Sequence, residues 1–214
     1  LKKGQNPILS IIGGAKVSSK IEILKSLISV VDDLIIGGGM AYTFIKANGG
    51  EIGNSLCEEA FLDEAQKILL LAKNKNVKVH LPLDIIASEK FSNTSITHTV
   101  NIYKIPKTME GLDIGPLSIK KFDEIILNSK TILWNGPLGV FEMSNFQNGT
   151  KQIALSIANA TKLGAFSLVG GGDSISAIKL FGMENTFSYI STGGGAMLES
   201  IEGKVLPGIK AVLN

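Results

Sequence analysis

A chain of 214 residues is long enough to bury a substantial core, and 44% hydrophobic with 19% charged residues is an ordinary composition for a globular protein. The formal net charge is +2 with both signs mixed along the chain, which argues against partners such as nucleic acid or a membrane surface. No apolar stretch approaches the ~20 residues of a membrane-spanning helix, and the single Cys57 excludes an intramolecular disulfide framework. We expect a soluble protein of a reducing, cytoplasmic compartment.

The first half of the chain repeats one pattern: a short apolar run, a glycine cluster, and apolar residues at helical spacing. The elements predicted for this half are strand 7–12, helix 16–30, strand 33–36, helix 40–47, helix 58–74 and strand 77–82. Gly13-Gly14 follows the first strand, and Gly37-Gly38-Gly39 follows the second. The segment 85–106 has weak, partly alternating patterns that predict no definite element.

The second half continues the alternation of helices and strands. Its predicted elements are helix 117–127, strand 131–134, helix 150–160, strand 165–169, helix 173–180, strand 187–191 and a last helix that ends at 201. Strands that alternate with helices predict βαβ units, and continuous apolar strands predict a sheet covered on both faces. We therefore predict one α/β domain over residues 1–214, with a doubly wound, mostly parallel, Rossmann-like sheet. No linker or change of composition divides it.

The glycine clusters lie where strands of an open α/β sheet end, which is where such sheets bind ligands. Triple glycines begin at Gly37, Gly170 and Gly193, in addition to Gly13-Gly14. One cluster alone would indicate only a tight turn, but four at strand ends favour a polyphosphate or nucleotide site, because helix N-termini there bind anions. The G-x-x-x-x-G-K-[ST] motif is absent, and Met40 breaks G-x-G-x-x-G after Gly37, which disfavours P-loop and dinucleotide enzymes.

Seven segments occur in an order that is specific to one family. They are GGAKVSSKI from Gly13, GGGMAYTF from Gly37, LPLD from Leu81, GLDIGPLS from Gly111, WNGPLGVFE from Trp134, GGGDS from Gly170 and STGGGA from Ser191. Read in this order they resemble the nucleotide-binding, C-terminal domain of the phosphoglycerate kinases, over essentially the whole chain. The family's N-terminal domain, with its basic patch for phosphoglycerate, has no counterpart here.

The resemblance implies a glycolytic kinase that transfers a phosphoryl group reversibly between 1,3-bisphosphoglycerate and ADP, giving 3-phosphoglycerate and ATP. Its cofactor would be Mg²⁺, its nucleotide substrate ATP or ADP, and phosphoglycerate would bind through the missing N-terminal domain. Family precedent suggests a monomer. We expect this chain alone to bind Mg-nucleotide but to turn over extremely slowly. Two alternatives stay open: a nucleotide-binding module without catalysis, and a dinucleotide dehydrogenase, which would need an intact glycine fingerprint.

The resemblance also implies residue roles. Lys16 and Lys20, four apart, can reach one polyphosphate, with Lys16 and the N–H groups of Gly172 and Gly195 at the transferring phosphoryl group. Asp173 would be the Mg²⁺-nucleotide ligand, although an Asp there can also be a helix N-cap. The residues implied in nucleotide binding are Gly14, Ala15, Lys20, Gly37, Gly38, Leu112, Asn135, Gly136, Glu142, Gly171, Gly172, Asp173 and Ser174. Among them Glu142 would bind the ribose hydroxyls, and Gly37, Gly38 and Leu112 would line the adenine slot.

Three further observations complete the sequence-based picture. Ser19 stands where the family usually has an acidic residue, which could alter the pairing of Lys16 or Lys20. Trp134 lies in a predicted strand, so we expect it in the core rather than stacked on a base. His80 and His98 lack metal-ligand spacing and a nucleophile partner, and we give them no role.

Overall fold

A computed structural model describes residues 4–193 and 196. The strands are β1 (Ile8–Ile12), β2 (Asp33–Ile36), β3 (Glu51–Ile52), β4 (Lys78–His80), β5 (Asp84–Ser88), β6 (His98–Asn101), β7 (Lys104–Ile105), β8 (Glu110–Ile114), β9 (Thr131–Asn135), β10 (Phe166–Gly170) and β11 (Tyr189–Ser191). The helices are α1 (Ile21–Leu27), α2 (Met40–Ala47), α3 (Leu62–Asn74), α4 (Pro116–Asn128), α5 (Asn148–Lys162) and α6 (Gly172–Leu180).

The main sheet has six strands in the order β11-β10-β9-β1-β2-β4, and every pairing is parallel. The predicted doubly wound α/β fold is confirmed. β1 lies in the middle and is buried along its whole length, as expected of a strand covered on both faces. From β1 the chain continues to β2 on one side, whereas β9 pairs with β1 on the other side. The crevice between the carboxyl ends of β1 and β9 is therefore the topological switch point, where such sheets bind ligands.

Alternate side chains of β1 enter two separate hydrophobic layers. Ile12 packs in a layer that includes Leu24 and Phe44 from α1 and α2. Ile11 packs in the opposite layer, with Phe122 of α4 and Trp134 of β9. Trp134 is fully buried, which confirms the expected core position. A sheet with a helical layer on each face is the architecture that strand–helix alternation predicts.

A second, antiparallel sheet was not anticipated from the sequence. It has the order β6-β5-β8, and β6 and all of β5 except Asp84 come from the segment 85–106 that predicted no definite element. β3 and β7 form a separate two-stranded parallel pair. A small hydrophobic cluster that includes Tyr42, Ile85 and Ile102 joins these strands to α2. No pattern in the sequence indicated the antiparallel sheet. Most of β6 is exposed, and its apolar and polar residues alternate only weakly.

Several predicted boundaries are wrong. The predicted helix 16–30 is too long: the observed helix is α1, Ile21–Leu27. Residues 16–20 form a loop and a turn before Ile21. The predicted helix 58–74 begins as a 3₁₀ turn, Glu59–Phe61, before α3. The predicted helix that ends at 201 lies outside the described residues. Within residues 4–193, no helix has the length and apolarity that a bilayer crossing requires.

Candidate functional site

The candidate site lies at the carboxyl ends of β1 and β9, where two loops hold each other through backbone hydrogen bonds. Gly13 N donates to Asn135 O at 2.9 Å, and Gly14 N donates to Pro137 O at 3.0 Å. The loop after β2 joins them, since Met40 N donates to Gly14 O at 3.0 Å. These bonds hold the ends of β1, β2 and β9 together.

Glycine is required where these loops touch. Gly38 has φ +67°, and a Cβ there would lie 2.7 Å from Gly14 N. A Cβ on Gly13 would lie 2.1 Å from Pro137 O. Both distances are too short for any side chain, so the glycines allow the close backbone approach that a cradle for an anion needs.

Two contiguous cavities open at this place. The first, of about 400 Å³, has apolar walls from Leu56, Phe91, Leu112, Leu138 and Phe141, with Glu110 and Glu142 among its polar groups. The second, of about 290 Å³, is lined by Lys16, Lys20, Asn135, Asp173, Ser174 and five glycines. Gly14, Ala15 and Asp173 line both. An apolar slot that continues into a polar pocket with two lysines suits a ligand with a flat apolar end and an anionic end.

Lys20 and Asn135 meet at the floor of the second cavity. Lys20 Nζ donates to Asn135 Oδ1, and Asn135 Nδ2 donates to Gly170 O at 2.9 Å. Burial lowers the pKa of Lys20, and the nearby negative charge of Asp173 acts in the opposite direction. A partly desolvated ammonium group of this kind gains from an anion placed beside it.

Asp173 and Ser174 lie in the first turn of α6, next to this floor. Gly136 N donates to Ser174 Oγ at 2.6 Å, which joins the end of β9 to α6. Gly171 is the N-cap residue, with φ 96° and no side-chain cap, so Asp173 lies in the first turn and is not the N-cap. Its exposed carboxylate faces both cavities. The described residues contain no cluster of three or more His, Cys, Asp or Glu that could hold a metal ion by itself.

The first cavity is held in shape by β8. Val140 N donates to Leu112 O at 2.8 Å, which binds the segment that carries Glu142 to the strand that carries Leu112. The next residue, Asp113, is buried and accepts hydrogen bonds from Gly149 N at 2.7 Å and Ile114 N at 2.9 Å. Burial raises the pKa of Asp113 to about 7, although these two hydrogen bonds act to lower it.

Most residues that the sequence implicated come together in the two cavities. These are Gly14, Ala15, Lys16, Lys20, Gly38, Leu112, Asn135, Gly136, Glu142, Gly171, Gly172, Asp173 and Ser174. Gly37 lines neither cavity, because it packs against Leu138, whose Cγ would be 2.7 Å from a Cβ at that position. Gly195 and its neighbour Gly194 lie outside the described residues. Ser19 Oγ donates to Lys16 O at 2.9 Å and bonds neither lysine side chain.

Sequence reasoning missed several residues of the first cavity. Tyr42, Leu56, Phe91 and Glu110 line it without having been implicated. Phe91 lies in the segment for which no element was predicted, so no pattern could place it at the site. Val140 and Phe141 also line the cavity, and their position inside the segment WNGPLGVFE was the available signal.

Comparisons with known proteins agree on one family. A family model described as phosphoglycerate kinase matches residues 1–204. A curated phosphoglycerate kinase of Porphyromonas gingivalis is 51% identical over 208 residues, which cover 97% of this chain and 50% of that protein. The phosphoglycerate kinase structure from Coxiella burnetii has a TM-score of 0.95 and 42% identity, over 100% of this chain and 54% of the other. The one from Pyrococcus horikoshii OT3 has a TM-score of 0.83 and 27% identity, over 99% and 53%. The chain thus spans about half the length of the relatives it matches.

Proposed function

The chain belongs to the phosphoglycerate kinase family, and we propose that it supplies the nucleotide-binding half of an enzyme that transfers a phosphoryl group between 1,3-bisphosphoglycerate and ADP. The observation that carries the proposal is the pair of contiguous cavities at the switch point, one apolar and one with Lys16 and Lys20. A nucleotide has the same two-part character. The dehydrogenase alternative has no support in the family match.

The base and ribose of the nucleotide occupy the first cavity in this proposal. Leu112 is an apolar wall on β8, and Gly38 lines the same cavity without a side chain to fill it. Glu142 is exposed at the cavity and can accept hydrogen bonds from two ribose hydroxyls, since a carboxylate has two acceptor oxygens. Glu142 therefore holds the sugar, and Leu112 holds the base.

The phosphates occupy the second cavity. Lys20 is already directed there by Asn135, whereas Lys16 is exposed and free to follow the outermost phosphoryl group. The N-terminus of α6, at Gly172, offers backbone N–H groups and a partial positive charge to the same anion. Phosphoryl transfer needs positioning and charge neutralisation more than covalent help, and these groups provide both.

Asp173 could bind Mg²⁺ together with the phosphates of a nucleotide. Asp173 is an exposed carboxylate between the two cavities, and Mg²⁺ is commonly bound by one or two carboxylates together with phosphate oxygens and water. We propose that Asp173 holds the Mg²⁺ of the Mg-nucleotide, which neutralises charge on the phosphates. The ion would bind with the nucleotide rather than before it, because no larger ligand cluster exists in the described part of the chain.

Catalysis needs the second substrate, whose site we assign to an N-terminal domain that pairs with this one. Closure of the two halves would exclude water from the acyl phosphate. We therefore propose that the 214-residue chain binds Mg-ADP but is nearly inactive alone. One domain over residues 1–214, a monomeric state and a cytoplasmic location also stay predictions.

Calorimetric titration of the chain with Mg-ADP tests the proposal. We expect saturable binding that Lys20→Ala and Asp173→Ala each weaken at least about tenfold, since each removes a charge that contacts the phosphates or their metal. Lys179→Ala and Asp63→Ala, at exposed positions outside both cavities, are the matched controls and should bind as the unchanged chain does. A well-folded chain that binds no Mg-ADP contradicts the proposal. Robust kinase activity of the chain alone contradicts its predicted inactivity.

A further inference from the structure

Residues 56–58, which we call the strap, lie between β3 and the 3₁₀ turn Glu59–Phe61 and contact both ends of the site. Leu56 lines the first cavity. Glu58 N donates to Thr43 Oγ1 at 3.1 Å, which fastens the strap to α2. The carboxylate of Glu58 then accepts two hydrogen bonds from one residue of the loop after β1: Ser18 N donates to Oε2 at 2.9 Å and Ser18 Oγ to Oε1 at 2.6 Å.

The loop held by Glu58 carries both lysines and has few other supports. Residues 16–20, which we call the phosphate loop, precede α1 and end at its N-cap Lys20, which has no side-chain cap. Val17 is buried, while Lys16, Ser18 and Ser19 are exposed. The bonds inside the loop are Ser19 Oγ to Lys16 O at 2.9 Å and Lys20 N to Val17 O at 2.8 Å. Among the described residues, the loop donates hydrogen bonds to two side chains outside it: Lys20 Nζ to Asn135, and Ser18 to Glu58.

Glu58 is negatively charged, which by itself would oppose the binding of phosphates nearby. Burial acts to raise the pKa of Glu58, but hydrogen bonds from Ser18 and the backbone of Val17, together with the charge of Lys16, lower it below its ordinary value. The group is therefore a carboxylate close to a cavity that we assign to phosphates. By charge alone, it repels a polyphosphate, so its removal should tighten binding of the anion.

We infer that Glu58 is a positioning residue for phosphate binding: through Ser18 it fixes the phosphate loop so that Lys16 and Lys20 face the second cavity together. The inference rests on the proposed nucleotide site and goes beyond it by assigning a role to a residue that lines neither cavity. The inference predicts a change in phosphate affinity opposite to the one that charge alone predicts. Loss of the Glu58 carboxylate should weaken phosphate binding although it removes a negative charge.

The test compares Mg-ADP with adenosine, which lacks phosphates, by calorimetry on the full 214-residue chain. Glu58→Ala should bind Mg-ADP between about threefold and tenfold more weakly, the range expected for loss of two charge-assisted hydrogen bonds at a partly exposed place. Glu58→Gln keeps one acceptor oxygen, so its affinity for Mg-ADP should lie between that of Glu58→Ala and that of the unchanged chain. Adenosine affinity should change less than about twofold in both variants, because the first cavity is untouched apart from the strap.

Two further variants separate positioning from charge and from stability. Glu59→Gln removes the adjacent carboxylate, which pairs with Lys46 and not with the phosphate loop, and should leave Mg-ADP binding equal or slightly tighter. Ser18→Ala should weaken Mg-ADP binding in the same direction as Glu58→Ala. Combined with Glu58→Ala, it should cost little more, because both changes break one contact.

The binding data distinguish the role of Glu58 from a general effect on the fold and from failure of the proposed nucleotide site. Unchanged or tighter Mg-ADP binding in Glu58→Ala, with the original chain binding normally, overturns the role of Glu58 and leaves the nucleotide site intact. Equal loss for adenosine and Mg-ADP means that Glu58 acts only on the general fold, and this also overturns the role. Failure of the original chain to bind Mg-ADP overturns the proposed function and the inference together.

Discussion

Replacement of Asp113 by asparagine should remove a pH dependence from the stability of this chain. Asp113 is 2% exposed and accepts hydrogen bonds from Gly149 N and Ile114 N, at the junction of β8 with the start of α5. A Cβ on Gly139 or Gly149 would lie 2.1 or 2.2 Å from its Oδ1, so water cannot enter without displacing backbone. Burial raises its pKa from 3.8 to about 7.

The sign follows from the direction of the shift. The folded chain holds the Asp113 proton up to about pH 7, whereas the unfolded chain releases it near pH 4. The contribution of Asp113 to the free energy of unfolding is therefore complete below about pH 4, decreases as the pH rises to about 7, and is level above that. A shift of about three pKa units corresponds to about 4 kcal/mol at most, at 1.36 kcal/mol per unit.

The assay is urea unfolding of the chain and of Asp113→Asn between pH 4 and pH 8, followed by circular dichroism. The subtraction cancels the titration of all other groups, so only the difference in unfolding free energy between the two chains matters. The advantage of the unmodified chain over the variant should shrink by up to about 4 kcal/mol as the pH rises. A constant difference, or an advantage that grows with pH, would refute the reasoning, because the hydrogen bonds from Gly149 and Ile114 would then outweigh burial.

Three other substitutions test separate parts of the structure. Gly38→Ala should weaken Mg-ADP binding more than about tenfold in calorimetry and destabilise the chain by roughly 1–3 kcal/mol, because its φ is +67° and a Cβ would press on Gly14; normal affinity would contradict the close approach of the loops. Ser118→Ala should lower the unfolding free energy in urea by about 1–3 kcal/mol, because buried Ser118 Oγ bonds Asp84 Oδ1 at 2.7 Å; an unchanged midpoint would contradict this. Glu142→Ala should weaken ADP about tenfold but leave 2′,3′-dideoxy-ADP unaffected, and equal losses for both ligands would exclude contact with the ribose.

The parts of the fold that follow from the sequence are those in which local pattern and tertiary environment agree. β1 is an uninterrupted apolar run and is buried on both faces, so its composition alone indicates a central strand. α2 begins at Met40 and ends at Ala47, as the glycines before it and Asn48-Gly49 after it suggest. The switch point between β1 and β9 could not be derived in the same way, since strand order depends on pairings between residues far apart in sequence.

The errors lie where contacts between distant residues decide the structure. Helical spacing continues upstream from α1 through buried Val17, yet Ser18 bonds Glu58 across the site and the segment stays a loop. Phe91 reaches the first cavity from the connection between β5 and β6, whose sequence carries no regular pattern. Gly37 packs against Leu138 and lines neither cavity, and its implied part in nucleotide binding stays a prediction. In the predicted helix 16–30 a long-range contact overrides a local pattern, whereas Phe91 lies where no local pattern exists.

A crystal structure of the chain with Mg-ADP tests the central claim most directly. We expect the base against Leu112 in the first cavity, the phosphates beside Lys20 in the second, and the Mg²⁺ bound to Asp173. A nucleotide bound elsewhere, or one with its base beside Lys20 and its phosphates beside Leu112, would contradict the assignment of the two cavities.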